Sequence, residues 1–197
     1  MGRPRAHDER TAAALLDAAE RLVATEGLEA LSVRRAAAAA GTTTRAVYSL
    51  FGSKEGLVVA LGVRAFDLLR AEIDALPQTD SPAGDLVTAG VVVFRRFALE
   101  HPALFQLGVQ HVAVPADLAQ GFRGAADHAL ERLRRRVARL AEAQQLGARP
   151  LRDAIWEFHA LCEGLAALEL RCVLPSEAAE RIWRDALGAL VAGWGAS

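Results

Sequence analysis

The sequence predicts an all-α fold of about nine helices, and three kinds of signal support that prediction. Hydrophobic residues make up 52% of the 197 residues, Ala and Leu dominate them, and runs of β-branched residues are few. Apolar residues recur at helical spacing, as at Leu15, Ala18, Ala19 and Leu22. Residues that begin or end helices recur between the apolar segments, most densely over residues 32–57.

These signals place the helices in chain order. Hydroxyl residues that accept a backbone N–H are predicted N-caps, namely Ser32, Thr43, Ser53 and Ser176. Residues that end or separate helices are Gly27, Gly41, Gly52, Pro77, Pro102, Pro115, Gly147 and Pro175. The predicted helices span about residues 8–26, 33–40, 44–50, 54–76, 83–99, 103–109, 116–146, 151–173 and 177–191.

The two short helices 33–40 and 44–50 predict a helix-turn-helix, whose second helix can enter a DNA major groove. The small residues Ala36, Ala37 and Ala40 lie where the helices would cross, and Val47 and Leu50 would face inwards. The opposite face of the second helix then carries Thr43, Thr44, Arg45, Tyr48 and Ser49. Hydroxyls suit base edges and phosphates, and an Arg that pairs with guanine contributes ~1–3 kcal/mol of base discrimination.

Further DNA contacts are predicted around this helix. Lys54 begins the next helix, where free N–H groups and a partial positive charge favour phosphate. Ser32 and Arg34 begin the first helix of the pair, in a stretch with three Arg and no acid from residue 31 to 50. The N-terminal Arg3 and Arg5 either reach into the minor groove or belong to a terminus with no role.

The segment GTTTRAVYSLFGSKEGL, from Gly41 to Leu57, resembles the signature of the tetracycline-repressor (TetR) family. The matching residues are Gly41, Thr43, Tyr48, Phe51 and Lys54, and the resemblance covers about residues 8–60. It implies a homodimeric, ligand-responsive transcriptional regulator, usually a repressor, that binds a palindromic double-stranded DNA operator. Leu50 departs from the pattern, and Gly56 is expected to weaken the following helix by ~1 kcal/mol relative to Ala.

The C-terminal part resembles one branch of the same family, with a WHG-like domain. The resemblance lies in HPALF from His101 and in WEFHALCEGLAALEL from Trp156, although Glu163 stands where that branch often has His. The predicted domains are therefore a DNA-binding domain over 1–53, a linking helix over about 54–76, and an effector-binding and dimerisation domain over 77–197.

Two sets of residues are predicted for this second domain. The wall of a cavity for a small, mostly apolar effector would contain Phe66, Phe97, Phe105, Trp156 and His159. Each of these residues has the alternative interpretation of an ordinary core residue. Helices 151–173 and 177–191 are apolar on more than one face, which predicts a two-fold symmetric dimer interface. Its predicted residues are Leu161, Leu165, Leu168, Ile182, Ala186 and Leu190.

Other classes of function find little support. The histidines have no metal-ligand spacing, and no phosphate loop or nucleophile motif occurs, so we expect no metal, cofactor or enzymatic activity. Arg132, Arg135, Arg136 and Arg139 form a basic stripe, interpreted as a solvated helix face rather than a second nucleic-acid surface. No apolar run spans a membrane, the N-terminus is charged, and the two cysteines are too far apart to pair, which predicts a cytoplasmic protein. The alternative is a helical small-molecule-binding or enzymatic protein whose N-terminal helix-turn-helix does not act on DNA.

Overall fold

The structure is a computed structural model that describes residues 5–109 and 114–195, with side chains from Asp8 onwards. These residues form nine helices and no strand, which confirms the predicted all-α fold. The helices are α1 (Arg5–Glu26), α2 (Val33–Ala39), α3 (Thr44–Phe51), α4 (Lys54–Ala75), α5 (Pro82–Thr88, the π-helical Ala89–Phe94 and Arg95–Glu100), α6 (Pro102–Gly108), α7 (Ala119–Glu142), α8 (Leu151–Leu170) and α9 (Ala179–Trp194). No described helix is both long enough and apolar enough to cross a membrane.

The chain divides into two compact units, and α4 and α7 each contribute to both. The first unit contains the described residues of Met1–Phe66 and His101–Ala126, and the second contains those of Asp67–Glu100 and Asp127–Ser197. The domain boundaries expected from the sequence, at residues 53 and 77, stay a prediction.

In the first unit, α1, α2 and α3 pack against one another around a small apolar core. Its fully buried side chains include Leu15, Ala19, Leu31, Ala36, Val47 and Leu57. Helix α6 also packs on α1. At the start of α6, Nδ1 of His101 lies 2.7 Å from Oε1 of Glu20, so a hydrogen bond supports this contact.

In the second unit, two indole groups of α9 are hydrogen-bonded to two carboxylates of α8. Trp183 Nε1 donates to Glu169 at 2.8 Å, and Trp194 Nε1 donates to Glu157 at 2.8 Å. Both indoles are fully buried, so their N–H groups need such partners. A Cβ on Gly90, in the π-helical segment of α5, would lie 2.4 Å from Leu187 Cδ1. Glycine therefore allows this segment to approach α9 closely.

Two helix ends differ from the predicted ones because residues other than glycine take the left-handed conformation. Helix α7 ends at Glu142, since Gln144 has φ 58° and the next N–H bonds back to Leu140 O. Helix α8 ends at Leu170 for the same reason, with Cys172 at φ 56°. Sequence reasoning expected these helices to continue to Gly147 and towards Pro175.

Two helix starts also differ. Helix α7 begins at Ala119 rather than residue 116, because a turn between Pro115 and Leu118 precedes it. The prediction that Ser176 caps the last helix is wrong. Helix α9 begins at Ala179, and its N-cap residue Ala178 offers no side-chain acceptor.

Candidate nucleic-acid interface

The turn between α2 and α3 has the geometry that the cap signals predict. Ser32 Oγ accepts the N–H of Arg35 at 3.3 Å, and Thr43 Oγ1 accepts the N–H of Ala46 at 3.2 Å. Gly41 ends α2 at φ 63°, a conformation that glycine adopts without steric cost. Two helices of seven and eight residues therefore begin and end at defined positions, and α3 keeps a fixed register.

Helix α3 has one buried face and one exposed face. Val47 is fully buried and Leu50 is partly buried, as the sequence predicts for the inner face. Tyr48 is 56% exposed, which is unusual for a large aromatic side chain. The exposed residues on the other side are those predicted to contact DNA, namely Thr43, Thr44, Arg45, Tyr48 and Ser49.

The turn from α3 to α4 is tight, and Gly56 makes it possible. Gly52 ends α3 at φ 75°, and Ser53 Oγ accepts the N–H of Gly56 at 3.0 Å. A Cβ on Gly56 would lie 1.8 Å from the carbonyl oxygen of Phe51. The expectation that Gly56 merely weakens the helix is therefore wrong, because the backbones approach too closely for any side chain. Lys54, the first residue of α4, is partly exposed beside this turn.

Three cations remain available on this surface. Among the described residues, Arg34, Arg45 and Lys54 have no ion-pair or hydrogen-bond partner, and all three are at least partly exposed. Arg35 differs, because its guanidinium donates to Glu26 at 2.5 Å and to Ala30 O at 3.1 Å. The Arg35 hydrogen bond lowers the pKa of Glu26, and the same contact raises the pKa of Arg35.

Arg35 was missed by sequence reasoning, and its contacts hold α2 to the end of α1. Nine residues separate the two charges, so no helix spacing predicts their pairing. Ser32, predicted as a DNA contact, is the N-cap of α2 and is partly exposed. Of the predicted arm, Arg3 lies outside the described residues. Arg5 begins α1, but its side chain is not among those described.

The five predicted effector residues are distributed over both units. Phe66 and Phe105 belong to the first unit, where Phe66 stacks edge-on against Phe122 with ring centroids 5.3 Å apart. Phe97, Trp156 and His159 belong to the second. Phe97 and Phe105 are fully buried.

An aromatic cluster in the second unit brings two of these residues together. The His159 ring lies 5.8 Å from Trp156 and 5.9 Å from Phe94, edge-on in both cases. Burial lowers the pKa of His159, and Glu163 at 3.8 Å partly opposes this. Trp156 is 49% exposed. Burial between these rings therefore favours the neutral form of the imidazole.

The second unit also contains an open cavity of about 660 Å³. The first two turns of α5, the turn after α7 and one face of α9 line it, through residues that include Ala83, Val87, Gln145, Gly188 and Val191. None of the five predicted effector residues lines this cavity. Their role as an effector wall stays a prediction.

The predicted dimer residues lie on α8 and α9. Leu165 is only 7% exposed, whereas Leu161, Leu168, Ile182, Ala186 and Leu190 are partly exposed. Beside charged residues and Trp156, the exposed positions of the same helices include five small residues, namely Ala160, Gly164, Ala189, Ala192 and Gly193. Sequence reasoning favoured the leucines and missed these small residues, although Trp156, Ala160 and Gly164 follow one another at helical spacing.

The basic stripe of α7 is not a free surface. Arg136 is 5% exposed, and Arg132 and Arg139 form ion pairs with Asp74 and Asp85. The interpretation as a solvated face is therefore wrong for these three residues and holds for Arg135, which is 66% exposed. Among the described residues, no group of three His, Cys, Asp or Glu side chains could hold a metal ion.

Comparison with known proteins agrees with the geometry of both parts of the chain. The family described as bacterial regulatory proteins, tetR family, matches residues 15–61. The tetracyclin repressor-like C-terminal domain matches residues 87–190, which is more than half of the chain. No curated protein matches the sequence.

Solved structures with low sequence identity share the fold. A protein of unknown function from Rhodococcus sp. RHA1 has a TM-score of 0.79 at 20% identity, over 94% of this chain and 95% of that chain. The TetR family transcriptional regulator PfmR from Thermus thermophilus has a TM-score of 0.70 at 20% identity, over 90% and 93%. AibR, in complex with isovaleryl coenzyme A and operator DNA, has a TM-score of 0.68 at 15% identity, over 92% and 98%. The two family models match the helix-turn-helix and the all-α C-terminal region. The chain therefore belongs to the tetR family of bacterial regulatory proteins, which are ligand-responsive, DNA-binding transcriptional regulators.

Proposed function

We propose that the protein is a repressor that binds a palindromic operator as a homodimer and releases it when a small, mostly apolar effector binds. The observation that carries the proposal is the exposed face of α3. Its side chains are hydroxyls, one Arg and the half-exposed Tyr48. Such a face is poor material for a protein core and good material for base edges and phosphates. The proposal includes a bacterial cytoplasmic location and no catalytic role.

The proposed DNA contacts are of two kinds, those with base edges, which recognise the sequence, and those with phosphates, which position the protein. Thr44 and Arg45 lie in the first turn of α3, the part of a recognition helix that contacts base edges. Arg45 would pair with guanine, and Tyr48 would donate its hydroxyl to a phosphate. Thr43 and Ser49 lie beside these residues on the same exposed face.

The remaining predicted DNA residues lie around this face and would bind phosphates. Lys54 begins α4, where the helix N-terminus adds a partial positive charge. Arg34 and Ser32 begin α2, which would lie across the DNA backbone. Arg3 and Arg5 would extend into the adjacent minor groove, as basic arms do.

A homodimer formed by α8 and α9 would present two copies of α3 to successive major grooves, about 34–36 Å apart. The proposed interface contains the predicted residues Leu161, Leu165, Leu168, Ile182, Ala186 and Leu190. The small exposed residues between them, such as Gly164 and Ala189, would let the helices of two chains approach closely.

The dimer would have two conformations that differ in the distance between its two helix-turn-helix units. The effector would bind one of these conformations more tightly than the other, since a ligand shifts an equilibrium only through its differential affinity. The aromatic residues Phe66, Phe97, Phe105 and Trp156, with His159, are the proposed wall. AibR forms a complex with isovaleryl coenzyme A, whose acyl chain is small and apolar although its coenzyme A part is large and anionic. This supports testing isovaleryl coenzyme A beside a panel of small apolar compounds.

A mobility-shift assay tests the DNA-binding proposal. The wild-type protein is mixed with DNA from upstream of its own gene and with a scrambled fragment of equal length and composition. We expect a salt-sensitive shift of the first fragment at protein concentrations that leave the scrambled fragment unshifted. Arg45→Ala should lose affinity for this fragment but keep its weaker affinity for scrambled DNA. Equal losses on both fragments would contradict the reading role of Arg45.

The dimer and the effector need their own measurements. Light scattering after size-exclusion chromatography should give twice the chain mass of 21.0 kDa for the wild type. Ile182→Asp, on the proposed interface, should lower it, whereas Ala13→Asp on the exposed face of α1 should not. Isovaleryl-coenzyme A should release the upstream DNA, and free coenzyme A is the control. A monomeric wild type would contradict the proposed dimer.

A further inference from the structure

We propose that Arg136 of α7 is a positioning residue for DNA binding, because it holds the C-terminal end of α4 and so limits the spacing between the two heads of a dimer. The head is defined here as α1, α2 and α3. The inference rests on the proposed function, namely a homodimer on a palindromic operator.

Arg136 contacts two carbonyls at the C-terminal end of α4, one in its last turn and one in the residue that follows it. Its Nη2 donates to Ile73 O at 2.8 Å and to Leu76 O at 3.1 Å. The last carbonyls of a helix have no donor within the helix, and they carry a partial negative charge. Ile73 O also accepts the N–H of Leu76 at 3.3 Å, so the guanidinium adds a second hydrogen bond there. It also adds a hydrogen bond at Leu76 O and the opposite charge.

Two neighbouring arginines hold residues that lie between these carbonyls and after them in the sequence. Arg132 and Arg139 lie four residues before and three after Arg136, and therefore on the same face of α7. Arg132 Nε lies 2.8 Å from the carboxylate of Asp74, in the last turn of α4. Arg139 donates to the carbonyl of Thr79, in the loop after α4, and to the carboxylate of Asp85.

The loop after α4 is tied a second time. Asp85, a buried residue at the start of α5, accepts the N–H and the hydroxyl of Thr79, each at 2.8 Å. Arg136 itself is 5% exposed, and a buried charge that loses its partners is strongly unfavourable. Displacing the end of α4 would therefore break several charged hydrogen bonds together. We call Arg132, Arg136 and Arg139 the α4 clamp.

The clamp matters for DNA binding because α4 is a single helix of 22 residues that begins directly after the α3–α4 turn. At 1.5 Å per residue it is about 33 Å long, so a tilt of about 10° at the clamped end moves the other end by about 6 Å. That displacement exceeds the rise of one base pair, about 3.4 Å. A clamped α4 should therefore make the dimer selective for one half-site spacing.

The experiment measures affinity against half-site spacing with the full-length protein. Footprinting on the upstream fragment first defines the palindrome, and synthetic duplexes then move the half-sites by one or two base pairs in either direction. For the wild type we expect a loss of about tenfold or more for each base pair of displacement. Arg136→Met removes the charge and the donors but keeps a long apolar side chain, and it should lose only about threefold or less.

Arg135→Gln is the matched control. It removes one positive charge from the same helix, at a 66% exposed residue whose ion pair among the described residues is with Glu131. It should keep the spacing dependence of the wild type. If Arg136→Met fails to fold by circular dichroism, Arg132→Gln and Asp74→Asn take its place, because each removes one partly exposed contact of the clamp.

The outcomes separate the inference from the proposed function. A clamp variant that keeps the wild-type spacing dependence overturns the inference. A clamp variant that loses affinity equally at every spacing, in step with a lower Tm, also overturns it, since a purely structural role predicts that result. A wild-type dimer with no spacing preference also overturns the inference, because a clamped α4 predicts selectivity for one spacing. A wild type that is monomeric in solution, or that protects a single half-site in the footprint, overturns the proposed homodimer instead. A flatter spacing dependence in the clamp variants alone supports the inference.

Discussion

Substituting Gly56 by Ala should destabilise the protein, although helix propensity alone predicts the opposite. Gly56 lies in the first turn of α4, where Ala is favoured over Gly by about 1 kcal/mol. The added Cβ would lie 1.8 Å from Phe51 O and 3.0 Å from Phe51 C. Both are backbone atoms, so no side chain can move aside to relieve the clash.

The backbone would have to shift by about 1.2 Å for this Cβ to reach the 3.0 Å that real contacts keep. Overpacking of this kind costs about 1–3 kcal/mol, and it exceeds the gain in helix propensity. The shift would also move Ser53 and Lys54, so affinity for the upstream DNA should fall. Gly124→Ala is the matched control, because Gly124 is an interior residue of α7 in the same compact unit, with nothing within 4 Å of an added Cβ.

Urea unfolding followed by circular dichroism gives the free energy of unfolding of both variants. We expect Gly56→Ala to lose about 1–3 kcal/mol and Gly124→Ala to gain up to about 1 kcal/mol. If Gly56→Ala were as stable as Gly124→Ala and bound DNA like the wild type, the close approach of Phe51 O would not be a constraint, and the reasoning would fail.

Three further predictions concern charge, pH and thiol reactivity. Arg34→Ala should reduce the slope of log affinity against log salt by about 0.9, the value for one phosphate contact. Arg35→Ala should leave this slope unchanged because Arg35 already pairs with Glu26. Equal slopes for the two variants would contradict the proposed phosphate contact of Arg34. Because burial lowers the pKa of His159, the unfolded chain binds this proton first as pH falls below 6.5, so wild-type stability should fall there. His159→Gln should lose less stability than the wild type, and parallel pH profiles from urea unfolding would refute this. A thiol reagent should modify the exposed Cys172 in the native protein but not the buried Cys162, whose pKa is strongly raised, and mass spectrometry of the labelled chain distinguishes them.

The helix-turn-helix was predictable because its signals are local. A cap such as Thr43 and its N–H donor Ala46 are three residues apart, and Gly41 needs no distant partner to adopt a positive φ. Local chemistry therefore determines where α2 and α3 begin and end. The alternation of Val47 with exposed hydroxyls then identifies the inner and outer faces of α3.

Helix ends were less predictable where another residue replaces glycine. Gln144 and Cys172 both take the left-handed conformation, with φ 58° and 56°, and each ends a helix that glycine and proline signals placed later. A non-glycine residue pays about 1 kcal/mol or more for this conformation, so it persists only when tertiary packing requires the chain to turn there. Nothing in the neighbouring sequence specifies that packing.

The effector wall is the least predictable feature, and the reason is physical. Phe97, a fully buried aromatic, and Trp156, a half-exposed one, both occupy positions on apolar helix faces, and the sequence pattern is the same for each. An apolar face must be covered by something, but periodicity does not distinguish a core neighbour from a ligand or a second chain.

The basic stripe of α7 shows the same limit for charge. Arg135 and Arg136 are adjacent in the sequence, yet one is 66% exposed and the other 5% exposed. The acceptors of Arg136 are carbonyls of Ile73 and Leu76, more than 50 residues away, and every residue carries such a carbonyl. No side-chain pattern could therefore have marked them. From the sequence alone, an arginine stripe in an all-α regulator could therefore either hold the end of another helix or bind nucleic acid. The contacts seen in the structure distinguish these two roles. The partners of Arg132, Arg136 and Arg139 are the end of α4, the loop that follows it and the start of α5, so the positive charge of these three residues acts within the protein.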